Sequence, residues 1–241
     1  MILEGMLSVK AALLAGRRKI HKIYIDAERK DREVRFVLHR AEERDVPVAF
    51  VSREEIENMT AGKTHGGIAA EAESRVYQDI GDCFTEDNVF LALTEGIEDP
   101  FNFGYILRTL YSGGCSGIIT RRRNWENAES TILKSSAGAS EYMNIVMTDD
   151  LPELIRTIKK KGVTCYAAMR RDAAVYTDAD LKGPVLIAIG GEMRGLSSSV
   201  LAEMDQNIYI PYANDFRNAL NAAAAAAVLT FEVVRQRRMD E

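Results

Sequence analysis

VFLALTEGIEDPFNFGYILRT, residues 89–109, joins an apolar run, a polar turn and the start of a helical pattern. The run Val89 to Thr94 is typical of a buried parallel strand, and Pro100 with Gly104 marks the turn that follows. The strand therefore brings Asn102 to the carboxyl edge of a sheet, where open α/β proteins bind ligands. Taken alone, the segment fits another interpretation equally well, in which Asn102 caps the helix and Arg108 is a solvated helix residue.

The chain beyond this stretch alternates short apolar strands with helical patterns. We predict strands at 117–120, near 145, and at 164–168, 185–189 and 208–210, and helices at 102–112, 151–161, 197–203 and 217–237. Such alternation is typical of a parallel sheet with helices on both faces, so residues 88–241 are predicted to form an α/β domain.

A second, smaller α/β unit is predicted upstream, over residues 1–76. Its helices are expected at 8–15, 32–44 and 53–59, and its strands at 22–25, 48–51 and 67–72. Ser52 stands directly before the third helix and is its predicted N-cap. The polar, aperiodic stretch YQDIGDCFTED, residues 77–87, is predicted to be a linker.

Composition narrows the class of protein. The chain has 241 residues, 46% of them hydrophobic, and a formal net charge of −5. It contains no apolar run long enough to span a membrane, and MILEGMLSVK lacks a secretory pattern, so we expect a cytoplasmic protein with no membrane partner. Three cysteines without CxxC spacing indicate reduced thiols and no metal site.

Two basic clusters stand out against the acidic total charge. A solvated loop and an RNA phosphate contact are both possible meanings of such clusters. As candidate RNA-binding residues we take Arg17, Arg18, Arg121, Arg122 and Arg123.

Two further segments also combine a strand with functional residue types. In IAIGGEMRGLS, residues 187–197, Gly190 and Gly191 end a strand and would let a ligand touch the backbone, while Glu192 adds a carboxylate. In IYIPYANDFRNALNAAAAAAVLTFE, residues 208–232, six alanines follow Asn221. Neither a GxGxxG loop nor a Walker loop occurs, so a dinucleotide site and a P-loop are not supported.

Together, the three segments resemble the three motifs of the SpoU family of RNA 2'-O-ribose methyltransferases, in the SPOUT superfamily. Residues 1–75 resemble the small substrate-binding domain often fused to these enzymes, and the stretch SSAGA at 135–139 resembles a further family segment. The three motifs occur in the family's order and strand context, and the residues that match them are Asn102, Gly104 and Arg108, then Gly190, Glu192 and Gly195, then Ile210, Pro211, Leu220, Asn221, Phe231 and Glu232.

The resemblance implies a fold, a cofactor and partners. The fold would be a SPOUT domain with a C-terminal trefoil knot. The substrate would be RNA, with ribosomal RNA as the favoured class. The assembly would be a homodimer that forms through the catalytic domain and uses the last helix. The cofactor would be S-adenosylmethionine, held by Ala168, Met169, Gly190, Gly191, Gly195, Ile210 and Leu220.

The same resemblance implies the catalytic set Asn102, Arg108, Glu192 and Asn221. Arg108 would bind the substrate and activate the ribose 2'-oxygen, and the other three would fix the geometry around it. Two positions depart from the family pattern: Ala219 replaces the usual Ser, and Gly66 stands where relatives often carry Gln. Loss of the hydroxyl keeps two alternatives open, a non-catalytic RNA-binding or assembly protein and a methyltransferase directed at transfer RNA.

Overall fold

The computed structural model describes residues 1–62, 64–191 and 193–238. It divides into two compact units. The first consists of Met1–Val76 and Trp125–Tyr142, and the second of Tyr77–Asn124 and Met143–Glu241.

Strands and helices alternate through most of both units. The first unit begins with β1 (Ile2–Glu4), α1 (Met6–Ala15), β2 (Ile20–Asp26), α2 (Arg32–Glu42), β3 (Val48–Val51), α3 (Arg53–Met59) and β4 (Ile68–Ala72). The second unit begins with β5 (Phe90–Glu95), α4 (Pro100–Ser112) and β6 (Gly117–Arg121). Next come α5 (Glu129–Ser135) and α6 (Ala139–Tyr142), which belong to the first unit. The second unit is completed by β7 (Ile145–Thr148), α7 (Leu151–Lys159), β8 (Thr164–Ala168), β9 (Ala173–Val175), β10 (Val185–Gly190), α8 (Ser198–Leu201), β11 (Gln206–Tyr209) and α9 (Ala222–Arg238).

The first unit is built on a four-stranded mixed sheet in the order β1-β4-β2-β3. Two of its helices are capped by the side chain of the preceding residue. Asp31 accepts hydrogen bonds from backbone N–H groups in the first turn of α2, and Ser52 forms a capping box with Glu55 at the start of α3. The predicted cap at Ser52 is therefore confirmed. Strand β1 was not predicted, because three residues are too short to show alternation.

Residues 125–142 do not follow the predicted domain boundary. We assigned them to the second domain, whereas they cluster with the first unit. Buried Arg18 donates to both carboxylate oxygens of Glu141, at 3.0 and 2.8 Å, and also contacts Glu129. Lys134 pairs with Glu4 of β1. These ion pairs fix α5 and α6 within the first unit.

The second unit contains a seven-stranded sheet in the order β7-β6-β5-β10-β8-β11-β9, with every pair of neighbours parallel. The prediction of a parallel α/β sheet is confirmed. Leu91 and Leu186 of the central strands pack in one core with Ile155 of α7, while α9 packs on α4 and contacts β10. Strand β9, again three residues long, was not predicted.

The predicted linker, residues 77–87, forms hydrogen bonds with the second unit and contains a short helix. The backbone N–H of Gln78 donates to the carbonyl of Ile145, and the Ile145 N–H donates back to the Gln78 side chain, at 3.0 Å each. Ile80–Cys83 forms a short 3-10 helix, and Cys83 is buried. The thiols of Cys83, Cys115 and Cys165 are all buried, and none of these three is in a disulfide bond. None of the helices described is both long and apolar enough to cross a membrane.

Candidate active site

Two of the predicted catalytic residues, Asn102 and Asn221, meet at the starts of two helices. The cap of α4 is Asp99, which accepts from the Asn102 N–H at 2.8 Å, so Asn102 is not the cap and its side chain is available. The Asn102 Oδ1 accepts from Asn221 Nδ2 at 3.2 Å. The Asn221 Oδ1 in turn accepts from the Ala223 N–H at 2.8 Å, which makes Asn221 the N-cap of α9. One amide therefore joins the first and third motifs.

Glycines bring the ends of β5 and β10 into backbone contact. The Gly191 N–H donates to the carbonyl of Glu95 at 2.7 Å, and the Gly195 N–H donates back to Gly191 at 2.9 Å. A Cβ at Gly190 would lie 2.6 Å from the Leu196 nitrogen, and one at Gly191 would collide with the carbonyl of Gly96. Only glycine fits these two positions, because the neighbouring backbone fills the space that a side chain would take.

A carboxylate that sequence reasoning missed holds this loop. Glu95 ends β5 and is buried; its Oε2 accepts from the Ser197 N–H at 2.7 Å. Its Oε1 pairs with Arg121 Nη2 at 2.8 Å. Arg121, predicted as an RNA contact, is thus engaged in positioning the loop. A charged residue at the end of an apolar strand was the available signal for Glu95.

A cleft of about 390 Å³ opens at the carboxyl edge of β8, β10 and β11. Its walls combine backbone-exposing glycines with apolar side chains, among them Leu201, Ile208 and Leu229. The seven positions predicted to hold the cofactor all line it: Ala168, Met169, Gly190, Gly191, Gly195, Ile210 and Leu220. Ala219 also lines the cleft and leaves its wall without the hydroxyl of the usual Ser.

An arginine and a tyrosine, neither of which was predicted, shape one wall of the cleft. The guanidinium of Arg170 lies 3.9 Å from the centre of the Tyr212 ring. It also donates to the carbonyls of Phe216 at 3.1 Å and Asn218 at 3.2 Å. The Tyr212 hydroxyl accepts from the Leu220 N–H at 2.8 Å. The residues between β11 and α9 are therefore held in place by side chains. Nothing in the local pattern signalled these long-range contacts.

The remaining predicted residues have different environments. Arg108 is exposed on α4, and within residues 1–62, 64–191 and 193–238 its guanidinium has no hydrogen-bond or ion-pair partner. Arg18 is only 7% exposed and is used by Glu129 and Glu141, so its predicted role in RNA binding is wrong. Arg122 pairs with Asp149 at 3.0 Å on the surface, and Arg17 and Arg123 are exposed. Glu192 lies outside the described residues.

In the part of the chain that the structure describes, no group of three or more His, Cys, Asp or Glu side chains could hold a metal ion. Burial raises the pKa of Cys115 and Cys165 to about 12, in Cys165 with a further contribution from the nearby Asp205 carboxylate, so both remain protonated thiols at neutral pH.

The fold and the cleft define an open α/β protein with a cleft at the carboxyl edge of its parallel sheet, which is the place where proteins of this class bind ligands. Residues 89–231 match the model of the SpoU rRNA methylase family. Residues 2–78 match the model described as RNA 2'-O ribose methyltransferase substrate binding. The chain belongs to the SpoU family.

Individual relatives agree with this assignment. A protein of Staphylococcus haemolyticus assigned to the TrmH family of tRNA/rRNA methyltransferases is 30% identical, over 98% of this chain and 96% of its own length. The 23S rRNA (guanosine-2'-O-)-methyltransferase RlmB of Photorhabdus laumondii is 28% identical, over 98% of both chains.

Solved structures show the same fold. The SpoU methyltransferase AviRb of Streptomyces viridochromogenes, crystallised with AdoMet, superposes with a TM-score of 0.83 at 20% identity, over 99% of this chain and 90% of that one. An AdoMet-bound rRNA methyltransferase of Sinorhizobium meliloti gives 0.82 at 24% identity, over 97% of this chain and 86% of that one.

Proposed function

We propose that the protein transfers a methyl group from S-adenosylmethionine to a ribose 2'-hydroxyl of RNA, with ribosomal RNA as the substrate class. The observation that carries the proposal is the hydrogen bond between Asn102 and Asn221, which joins two family motifs beside the cleft. Its neighbours Leu220 and Ala222 line that cleft. The RlmB relative, which is similar over nearly its whole length, supports ribosomal over transfer RNA.

The residues of the cleft fit S-adenosylmethionine. Its volume is in the range of small-molecule sites, and its mixture of apolar side chains with bare backbone suits a flat nucleoside and an amino-acid tail. Ala168, Met169, Ile210 and Leu220 would contact the nucleoside, and Gly190, Gly191 and Gly195 would admit it to the backbone. When bound, the cofactor supplies a methyl group on a positively charged sulfur, which is already a good electrophile.

Arg108 would act on the RNA. A guanidinium holds its proton in proteins, so it cannot serve as a general base. Its exposed fork instead can bind a phosphate or ribose, orient the 2'-hydroxyl and stabilise the negative charge that develops on the oxygen. The proton would leave to a phosphate or to water. Asn102 and Asn221 would fix the geometry around Arg108, and we assign the same role to Glu192 on the basis of the motif.

Three further features complete the proposal. The C-terminal part of the second unit would form the trefoil knot of the family, which an experimental structure with an unthreaded α9 would contradict. The protein would work in the cytoplasm, which cell fractionation can test. It would act as a homodimer through α4 and α9, because exposed aromatic side chains remain on both helices.

The first prediction tests the reaction and Arg108. We expect Arg108→Ala to lower the rate of methyl transfer to unmodified ribosomal RNA by about 10² to 10³, because a donor to the reacting oxygen is lost. The affinity for S-adenosylmethionine, measured by calorimetry, should stay within about twofold, since Arg108 does not line the cleft.

Arg156→Ala is the matched control, because Arg156 is an exposed arginine on α7 that is engaged by Glu153 and Glu203. It should leave the rate unchanged. Absence of S-adenosylmethionine binding, or full activity of Arg108→Ala, would contradict the proposal. Cofactor binding without methylation of any RNA would instead support the non-catalytic alternative.

A further inference from the structure

A groove on the first unit is lined by none of the residues assigned above. It has a volume of about 410 Å³ and opens between the turn after β2, helix α2 and the edge strand β3. We call it the β3 groove. Its apolar lining comes from Val34 and Leu38 of α2 and from Phe50 of β3. Cationic side chains complete the lining, and they are Arg29, Lys30 and Arg35.

Phe50 offers a bare aromatic ring in this groove. Its side chain is 55% exposed, and it lies on the edge strand of the sheet. Two other rings of this unit are covered by cations: Lys10 lies 5.1 Å from the centre of Phe36, and Lys22 lies 5.3 Å from that of Tyr24. Among the described residues no ring or cation covers Phe50. Its face is therefore free to stack on a planar ligand.

The charges around the groove favour an anion. Arg29 is fixed by Asp31 at 2.7 Å and by the carbonyl of Gly66 at 2.6 Å. The side chains of Lys30 and Arg35 form no ion pair or hydrogen bond with any residue that the structure describes. No carboxylate lines the groove within those residues. Two uncommitted cations beside an uncovered ring match a phosphate next to a base.

We infer that the β3 groove binds an unpaired nucleotide of the RNA substrate, with the base stacked on Phe50 and the adjacent phosphates bound by Lys30 and Arg35. A base in a duplex is already stacked on its neighbours and cannot present its face to Phe50, so the groove selects a loop or bulge. The inference rests on the proposed function, since it names the part of the RNA that the first unit recognises. It replaces the predicted contact at Arg18 with residues that are open to solvent.

The test uses the full chain and two fluorescein-labelled RNAs of equal length, a hairpin with a seven-nucleotide loop and a fully paired duplex. A 23S rRNA transcript is the third probe. We expect Phe50→Ala to weaken binding to the hairpin and the transcript by about tenfold, with duplex binding unchanged. Phe50→Tyr keeps the ring and should stay within about twofold of the original. Lys30→Ala and Arg35→Ala should each weaken binding and reduce the salt dependence by about one phosphate contact.

Arg53→Ala is the control, because Arg53 is an exposed arginine of the same unit outside the groove. It should leave all three affinities unchanged. The inference would be overturned if the hairpin were bound equally well by the original chain and by the Phe50→Ala, Lys30→Ala and Arg35→Ala variants. It would also be overturned if the original chain bound none of the three RNAs. Affinity for S-adenosylmethionine is measured in parallel. Its absence would contradict the proposed function, whereas loss of hairpin binding in Phe50→Ala would still support the groove.

Discussion

At the scale of single residues, the side-chain amide of Asn221 forms two hydrogen bonds at once, one through its oxygen and one through its nitrogen. Its oxygen caps α9 through Ala223, and its nitrogen donates to Asn102. An aspartate has the oxygen but lacks the donor, and an alanine lacks both. Substitution can therefore separate the cap from the link between the motifs.

The second prediction uses this difference. Asn221→Ala should lower the free energy of unfolding by about 1 kcal/mol through loss of the cap, and Asn221→Asp should restore most of it. Both variants should slow methyl transfer, because both lose the N–H that Asn221 donates to Asn102. Urea unfolding and single-turnover methylation are the two measurements. A rate in Asn221→Asp equal to that of the original chain would show that the link to Asn102 has no part in the reaction.

The sequence predicted this site unevenly, and the reason is physical. Gly190 was found because it ends an apolar strand, where local pattern is informative, whereas Leu220 was found through the resemblance to the third family motif. Arg170 and Glu95 were missed, because their partners lie 46 and 102 residues away in the chain. Arg18 was misassigned for the same reason, since its cluster looks solvated until Glu141 is known to face it.

At the scale of elements, helix α9 shows how side chains decide where a helix begins. The alanine-rich pattern predicted a start at Arg217, whereas the helix starts at Ala222. The backbone groups that an earlier start would need are already bonded. Arg170 occupies the carbonyls of Phe216 and Asn218, and Tyr212 occupies the N–H of Leu220. These bonds keep the preceding residues out of the helix.

The other end of α9 provides a pH-dependent contact. The Glu232 side chain is 5% exposed and binds Arg235 at 2.6 Å and Gln236 at 2.8 Å. The hydrogen bond from Arg235 is the main cause that holds the pKa of Glu232 below its usual value, against the effect of burial. A lowered pKa in the folded state stabilises the fold above the unfolded value, near 4.5, and the contribution is lost as the pH falls through the folded value.

The third prediction follows from the lowered pKa of Glu232. Glu232→Gln should lower the free energy of unfolding by about 1–2 kcal/mol at pH 7, and the difference from the original chain should shrink below pH 4.5. Glu153→Gln is the control, because Glu153 pairs with Arg156 at the same i,i+3 spacing but is 58% exposed. It should change stability by less than about 0.5 kcal/mol. Urea titrations over the pH range test both variants, and a difference that persists at low pH would refute the assignment to the carboxylate.

At the scale of the whole molecule, each of the two compact units is made of two separate segments of the chain, whereas the sequence pattern predicted contiguous domains. Alternating strands and helices predicted a small α/β unit followed by a larger one, and the parallel sheet of the larger unit was correct. The assignment of residues 125–142 failed because a domain prediction from local pattern assumes contiguous segments. Ion pairs between residues more than 100 positions apart, such as Arg18 with Glu141, place these residues in the first unit.

The proposed association of two copies belongs to this scale. Phe101 and Tyr105 lie four residues apart on α4, so they share one face of that helix, and Phe231 lies on α9, which packs on α4. All three side chains are about half exposed. Aromatic side chains concentrated on two adjoining helices are typical of a protein interface. A twofold dimer would cover them with the same face of a second copy.

The fourth prediction is that the original chain sediments as a dimer at micromolar concentrations and that charge on this face dissociates it. Tyr105→Asp and Phe231→Asp each introduce a carboxylate twice across a twofold interface, where burial of an unpaired charge is unfavourable. Each should raise the dissociation constant at least about a hundredfold, which corresponds to about 2.7 kcal/mol. Leu14→Asp, at an exposed leucine of α1 in the first unit, should leave the dimer intact. Near-ultraviolet circular dichroism checks that the variants remain folded, and a monomeric original chain, or folded dimeric variants, would contradict the proposed interface.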